Sequence, residues 1–537
     1  MAIYSNGKYW KKIYRQKTNE RLRMKIKAGT GKRKLPILIA LLVVSLLAPW
    51  GVPSGSAATS VLKYGYTGGG LVGLNPNQIT SGTQKVVAPL LYDPLVKINK
   101  EGKLIPWLAE SWSASKDQRT WTFTVRTGVK FHNGRRFAAS DVMKNLQWIS
   151  DPANKSSQAN EVGKIEKYRV SGLNKISITL KNPNSQFPGS LVFIYMADIL
   201  NIKSSNIKYS ANGTGPYRIN AFSSDNYVYL KKSTNYWGSA PKLDEIKIMR
   251  SPDATSALLS LQSGALDMVW NVAPNSVASL RTNKSIDFLN ADVFAGVHVL
   301  MLDTKSAPFN NPKARQALSY ALDRETIVKT AFGGVGEISL TSTPLGTKDT
   351  AYKSGLDKYA FNLDKAKELF AEAGIKSGDT LTFWTLAGRR FEWVAMAQIL
   401  QSDLKKIGIT LDIQPQETAS WLGKFYPYPK SFPNTIVANF LSPAPINAYQ
   451  MNVYTTGGCE CKWDDKAYDD MMKSALASTS QDEYKTILGN MQAKFNAEQP
   501  SVVVLTAANI TAHRSSVKGA WLLGEGTPQL NDAYIDQ

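Results

Sequence analysis

Apolar residues recur with a period of two in the first half of the chain, which predicts half-buried strands. Trp121, Phe123 and Val125 alternate with Thr122, Thr124 and Arg126; Ile176, Ile178 and Leu180 repeat the rhythm until Asn182 and Pro183 break it. Apolar runs at 61–66, 227–230 and 246–248 predict further strands. In the second half the period lengthens to that of helices. Asn311 and Pro312 supply an N-cap and a first-turn proline ahead of a face carrying Ala314, Ala317, Leu318, Ala321 and Leu322. A helix over 364–373 turns Ala366, Leu369, Phe370 and Ala373 inward. Another over 393–407 does the same with Met396, Ile399, Leu400, Leu404 and Ile407. Gly374 and Gly408 stand where each helix needs a left-handed residue to stop. A strand over 409–413 follows at once, so the connections are short and the units are α/β.

At 537 residues the chain exceeds what one core usually holds, so two or three lobes are expected. The formal charge of +22 suggests nucleic acid until it is located. Twelve Lys or Arg and one acid, Glu20, lie between Met1 and Ala58, which puts half of that charge on the first 58 residues. The remainder is scattered, with no basic run and no nucleic-acid module, and no nucleic-acid partner is expected. Lys32-Arg33-Lys34, an apolar run over 35–47, the breakers Pro49, Gly51 and Pro53, and Ser56-Ala57-Ala58 follow the order of an export leader. The run is shorter than the ~20 residues of a spanning helix. Residues 1–58 therefore read as a cleaved signal peptide of a periplasmic or secreted protein, with an uncleaved anchor as the alternative. The leader begins at Met1 or at Met24. No cysteine near Ala58 offers a lipid attachment point.

Catalytic patterns are missing. His132, His298 and His513 each stand alone, and neither a Gly-x-Ser-x-Gly elbow nor a His-Glu-x-x-His helix occurs. Gly29-Thr30-Gly31-Lys32 and Gly68-Gly69-Gly70 lack the spacing of nucleotide loops. Cys459 and Cys461 are the only cysteines. Their spacing is awkward for a local disulfide if the chain is extended, which leaves a free pair or an intermolecular bridge as the main alternative. Two thiolates without a nearby His make a poor zinc site, so neither metal nor cofactor is expected. The missing patterns argue against an enzyme, with a secreted hydrolase acting on a small solute kept as the alternative.

The segments LAESW (108–112), WTFTVRTGVKFHNG (121–134), ASDV (139–142), GTGPY (213–217) and NYW (235–237) come in a recognisable order. LQSGALD (261–267), NPKARQALSYALDR (311–324), AKELFAEAG (366–374), LKKIGI (404–409) and YDDMM (468–472) continue it. Together they resemble family 5 extracellular solute-binding proteins, the receptors of peptide, nickel and related ABC importers. The resemblance runs from about Val61 to the C-terminus. It implies an α/β, two-lobed periplasmic-binding-protein-like fold with a hinge and an extra accessory domain. Lobe I would take 59–90, 209–290 and 505–537, the accessory domain 91–208, and lobe II 291–504. It further implies a monomer that closes around a small-molecule ligand and hands it to an ABC permease in the membrane. The motifs themselves read as caps and turns: Ser140 or Asp141 can cap a helix, and 213–217 bends into a strand.

Peptide-binding members of the family place an aspartate against the ligand's amino group in a stretch that corresponds here to 437–449. No carboxylate occurs between Asn434 and Gln450. A buried ammonium left without a partner costs several kcal/mol, so neutral groups are expected in its place: Asn439, Phe440, Ser442, Asn447 and Tyr449. That set suits a neutral or hydroxyl-rich ligand better than a free amine, and oligopeptide, oligosaccharide, opine-like compound and metal chelate all stay open. Trp421, Trp270 and Trp384 are expected to add stacking surface. Trp421→Ala is expected to weaken binding about tenfold or more with the fold intact. Arg389-Arg390 could pair with a carboxylate or phosphate, but the pair reads rather as exposed and solvated.

Overall fold

The structure is a computed structural model that describes residues 59–67, 73–79, 81–199, 211–224, 226–270, 272–289, 296–386, 390–417, 420–421, 431–441, 451–507, 510–523 and 526–536. Three larger sheets organise residues 58–537, which form one compact unit.

The first sheet has seven strands, ordered Ile286–Leu289, Thr511–Arg514, Met268–Trp270, Val61–Tyr66, Glu245–Arg250, Tyr227–Lys232 and Tyr217–Ser223. The predicted strand at 61–66 lies near its middle, parallel to Glu245–Arg250 and to Met268–Trp270. Leu62, Tyr64, Val228, Leu230, Ile246 and Ile248 bury one face, beside the helix Gly82–Leu91. That helix begins with a capping box: Ser81 accepts from the Gln84 N–H, and Gln84 accepts from the Ser81 N–H.

The second sheet has six strands, ordered Glu337–Ile338, Ser501–Ala507, Gly296–Leu302, Thr435–Leu441, Thr380–Leu386 and Thr410–Gln416. Gly296–Leu302 is buried along its whole length. Its side chains alternate between two cores, with Leu300 and Leu302 on one face and Val297, Val299 and Met301 on the other. Such a strand has no polar face, which is why it shows no period-two signal in sequence. The helices Pro312–Tyr320, Leu363–Glu372 and Phe391–Lys406 bury their predicted faces against the first of those cores. The Asn311 side chain accepts from the Lys313 N–H, as expected of an N-cap.

The third sheet has four antiparallel strands, Ala109–Ala114, Thr120–Val125, Lys175–Leu180 and Ile165–Ser171, over its own core of Trp121, Phe123, Ile176 and Ile178. It is tied to the first sheet by two features that explain the recognised motifs. The 131–134 turn docks onto 213–215: the His132 N–H donates to the Gly213 carbonyl, and the His132 ring meets the Gly215 carbonyl at 3.0 Å. Beside it, Asp93 is fully buried and accepts from Trp107 at 2.6 Å, Trp237 at 3.0 Å and Thr214 at 2.9 Å, with Lys97 3.5 Å away. The Lys97 ammonium stands over the Trp107 ring. At the start of the helix Ala139–Ser150, Asp141 rather than Ser140 does the capping; it accepts from the Ala138 N–H and pairs with Arg135 at 2.8 Å.

One expectation is overturned. Cys459 and Cys461 are bonded to each other, with their Cα atoms 5.0 Å apart. The chain turns at 460–461 instead of running extended, and a turn brings such neighbours within disulfide reach.

Candidate functional site

The site is built from where the chain passes between the two large sheets. It leaves the seven-stranded sheet after Leu289 and enters the six-stranded sheet at Gly296; it returns between Ala507 and Thr511. Leu289 pairs with Thr511 on one side, and Gly296 pairs with Ala507 on the other. The two crossings therefore leave each sheet side by side, the arrangement of a hinge.

The sheet ends at this crossing carry several of the predicted residues. Trp270 pairs with Thr511, so it lies at the hinge end of the seven-stranded sheet. Its indole donates to the Gly526 carbonyl at 2.9 Å. The ring lies over Gly82, where any Cβ would fall 1.9 Å from it, so glycine is required there. On the six-stranded sheet, Phe440 pairs with His298, and Leu441 with Val297. Phe440 covers Gly296 so closely that a Cβ there would come within 1.9 Å of its ring.

Around Phe440 an aromatic cluster forms. The His298 ring contacts Phe332 at 4.6 Å, Phe440 at 4.9 Å and Trp393 at 6.3 Å. The Trp393 indole donates to His298 Nδ1 at 3.0 Å, so that nitrogen carries no proton. Burial and then the Arg390 charge push the His298 imidazole well below its ordinary pKa, and the ring is neutral. Arg390 caps the cluster, its guanidinium 5.1 Å from the Phe440 ring and 5.3 Å from the Trp393 ring. It pairs with Glu392 at 3.3 Å and keeps 26% of its side chain exposed. The reading of Arg390 as an exposed, solvated side chain is thus corrected; Arg389 lies outside the described residues.

The other candidates are divided between faces. Asn439 is buried, and its side-chain oxygen accepts from the Phe440 N–H at 2.8 Å. Trp384 pairs in register with Val437, on the face opposite Phe440, and donates to Gln414 at 3.2 Å. Trp421 is 5% exposed and belongs to the core of that same face. The structure therefore brings Phe440, His298, Trp393 and Arg390 together, but not Phe440 with Trp384 or Trp421. Ser442, Asn447 and Tyr449 lie outside the described residues.

His298, Trp393 and Arg390 belong to this cluster, yet in the sequence His298 reads only as a lone histidine and Trp393 only as the start of a helix. The missed signal is the histidine in the apolar run 297–302, since a polar side chain in a buried strand needs a specific partner. Among the described residues no three His, Cys, Asp or Glu side chains gather as a metal site, and no helix is long and apolar enough to cross a membrane.

The comparisons with known proteins agree with this architecture. The chain is 28% identical over 478 residues to the glutathione-binding protein GsiB of Escherichia coli K12, covering 86% of this chain and 92% of that one. The periplasmic binding protein DppA of Helicobacter pylori, solved with the peptide STSA, superposes with a TM-score of 0.74 at 23% identity, over 89% of this chain and 98% of that one. The binding protein AgaA of A. tumefaciens R10, solved with agropinic acid, gives a TM-score of 0.74 at 23% identity, over 89% and 99%. Residues 103–459 match the model of the bacterial extracellular solute-binding proteins, family 5 Middle. The chain belongs to that family and is a substrate-binding protein of an ABC transporter, not an enzyme.

Proposed function

We propose that this receptor captures a small organic solute bearing a carboxylate, and closes on it between a lobe built on the seven-stranded sheet and one built on the six-stranded sheet. The observation that carries the reading is Arg390, half-buried on Phe440 and Trp393 at the hinge end of the second sheet. A guanidinium resting near two rings and bonded through one nitrogen to Glu392 can offer its other N–H groups to a carboxylate, and loses little rotamer freedom on binding one. Glu392 offsets its charge while the site is empty. Glutathione, a peptide and agropinic acid, the ligands named for the three related proteins, all carry carboxylates, which supports the same class. The stretch 434–450 has no acid to hold a ligand ammonium, so the reading favours an acid whose amine is absent, blocked or held elsewhere.

In this reading Trp270 contributes from lobe I, and Phe440, Asn439, Ser442, Asn447 and Tyr449 from lobe II; Trp384 and Trp421, on the opposite face of the six-stranded sheet, stand apart from the Arg390 contact. The lobes follow 59–90, 209–290 and 505–537 for the first and 291–504 for the second, with 91–208 as the accessory domain. Ser501–Ala507 is a single strand of the six-stranded sheet, so lobe II is better ended at 507 than at 504. The receptor acts as a monomer outside the cytoplasm after loss of residues 1–58, and delivers its ligand to a membrane permease.

The test is mass spectrometry of whatever is released when the exported protein is denatured, followed by calorimetry with that compound. An acid is expected, and Arg390→Gln should weaken it by about 10- to 100-fold, the worth of one charge-assisted contact. Release of a neutral sugar, with affinity unchanged in Arg390→Gln, would move the reading to an oligosaccharide receptor.

A further inference from the structure

The seven-stranded sheet carries a second surface that ligand capture does not use. In its outer strands Val228, Leu230, Ile246 and Ile248 point into the core, and the alternate residues point the other way. Register fixes what that other face presents. Arg218 lies directly across from Lys231, and Lys63 directly beside Lys247. Like charges placed opposite each other in a ladder are destabilising, and here it happens twice on one face. Glu245 is the one acid in these four strands; it lies directly across from Lys231 and 3.7 Å from Lys247, so the face keeps a net positive charge with one of its cations opposed. Between the basic pairs, Tyr227 and Tyr229 are stacked with centroids 4.5 Å apart, and the Lys247 ammonium lies 5.6 Å from the Tyr229 ring.

We propose that this face rests against an anionic lipid surface. The inference depends on the receptor reading above, since a receptor that serves a membrane permease works beside that membrane. Four cations spread over adjacent strands, ~4.8 Å apart, form a plane rather than a pocket, and a plane suits a layer of headgroups. Tyrosine, with an apolar ring and a polar tip, is the side chain that settles at headgroup level. The strand Val61–Tyr66, which carries Lys63, begins just after the predicted end of the leader at Ala58. Charge supplies a reversible hold, each basic side chain contributing about fivefold to the partition coefficient.

The test is co-sedimentation of the exported protein with phosphatidylcholine vesicles that contain or lack phosphatidylglycerol, at two salt concentrations. Binding is expected only with phosphatidylglycerol and should weaken with salt. The triple variant Lys63→Glu, Arg218→Glu, Lys231→Glu should lose about a hundredfold. A control of equal charge on the six-stranded half, Lys376→Glu, Lys405→Glu, Lys485→Glu, should lose far less. If the face triple fails to fold, Lys231→Gln alone should still cost about fivefold, and Tyr227→Ser should weaken binding without changing its salt dependence. Equal loss in both triples, equal binding to neutral vesicles, or no binding at all would each overturn the proposal. Solute affinity should be the same in the face triple and the parent, so failure here leaves the receptor reading standing and the two can fail separately.

Discussion

Asp349 holds an ionisable carboxyl where water barely reaches it. One oxygen accepts from the Gly346 N–H at 2.6 Å, and the other is buried without a partner. Burial, against the pull of that N–H and with some help from Glu337, pushes its pKa up to about 7. In the unfolded chain the group titrates near 4, so its ionisation works against the fold; the penalty is full above pH 7, shrinks as pH falls below that, and is gone near pH 4. Between pH 8 and 6 the gain is about 1.4 kcal/mol, or ~2 °C in a melting experiment. His132, His298 and His513, held below their ordinary pKa by burial, act in the opposite sense. They lose stability as pH drops through their unfolded value, so the difference between parent and Asp349→Asn is the quantity to measure. The variant should be the more stable at pH 8, and the gap should narrow by about 1.4 kcal/mol by pH 6 and close only near pH 4. A gap that does not change with pH would mean that Asp349 is ionised throughout.

Arg324 shows the reverse arrangement, a buried charge whose donors are all used. It donates to the carbonyls of Ser319 and Tyr359 and to that of Val503 at 2.9 Å, and to the Ser319 hydroxyl. Its burial lowers its pKa to about 9. A lysine cannot reach four acceptors from one point, so Arg324→Lys should cost about 3 kcal/mol in a denaturant titration, without altering ligand affinity in the surviving folded protein. The motif that contains Arg324 reads as a family signature in sequence, and its physical content is this clamp between a helix start and a central strand.

Among the elements, local rules were legible and long-range ones were not. The caps at Asn311 and the stops at Gly374 and Gly408 depend on neighbours a few residues away, and all are present. The strands at 121–125 and 176–180 declared themselves because one face is wet. By contrast, Gly296–Leu302 is buried on both faces, and the Cys459–Cys461 bond depends on a turn. The buried Asp93 was not noticed, although a carboxylate within the apolar stretch 90–96 signals a satisfied internal charge. Site residues were legible only in part, because the contact between Arg390 and Phe440 joins a helix start to the end of a strand 50 residues away. Close approach of backbones was legible as glycine but not as to cause. A Cβ on Gly215 would lie 2.4 Å from the Leu91 carbonyl carbon, so Gly215→Ala should destabilise by about 2 kcal/mol, read as a lower melting temperature. Trp421 belongs here too. Being packed in the core, Trp421→Ala is expected to cost about 3–5 kcal/mol of stability along with any loss of affinity. A melt therefore has to accompany the binding assay.

Two of the three larger sheets are joined by paired crossings, and this constrains how a ligand can act on the molecule. A solute that touches one lobe binds the open and closed forms equally and shifts nothing; closure needs contacts that exist only when both lobes meet it. Arg390 and Trp270 stand at the hinge ends of opposite sheets, so each is expected to supply one half of that contact. Ligand should then reduce the radius of gyration in small-angle scattering and raise the melting temperature as its concentration exceeds Kd. In Arg390→Gln the lobe II contact weakens, and saturating ligand should leave a larger share of molecules open. Adding Trp270→Ala to that variant should cost less affinity than it does in the parent, because a contact made only on closure is worth little to a protein that no longer closes. Full additivity of the two substitutions, with compaction preserved in both, would place at least one of them outside the ligand's reach and leave closure to other residues.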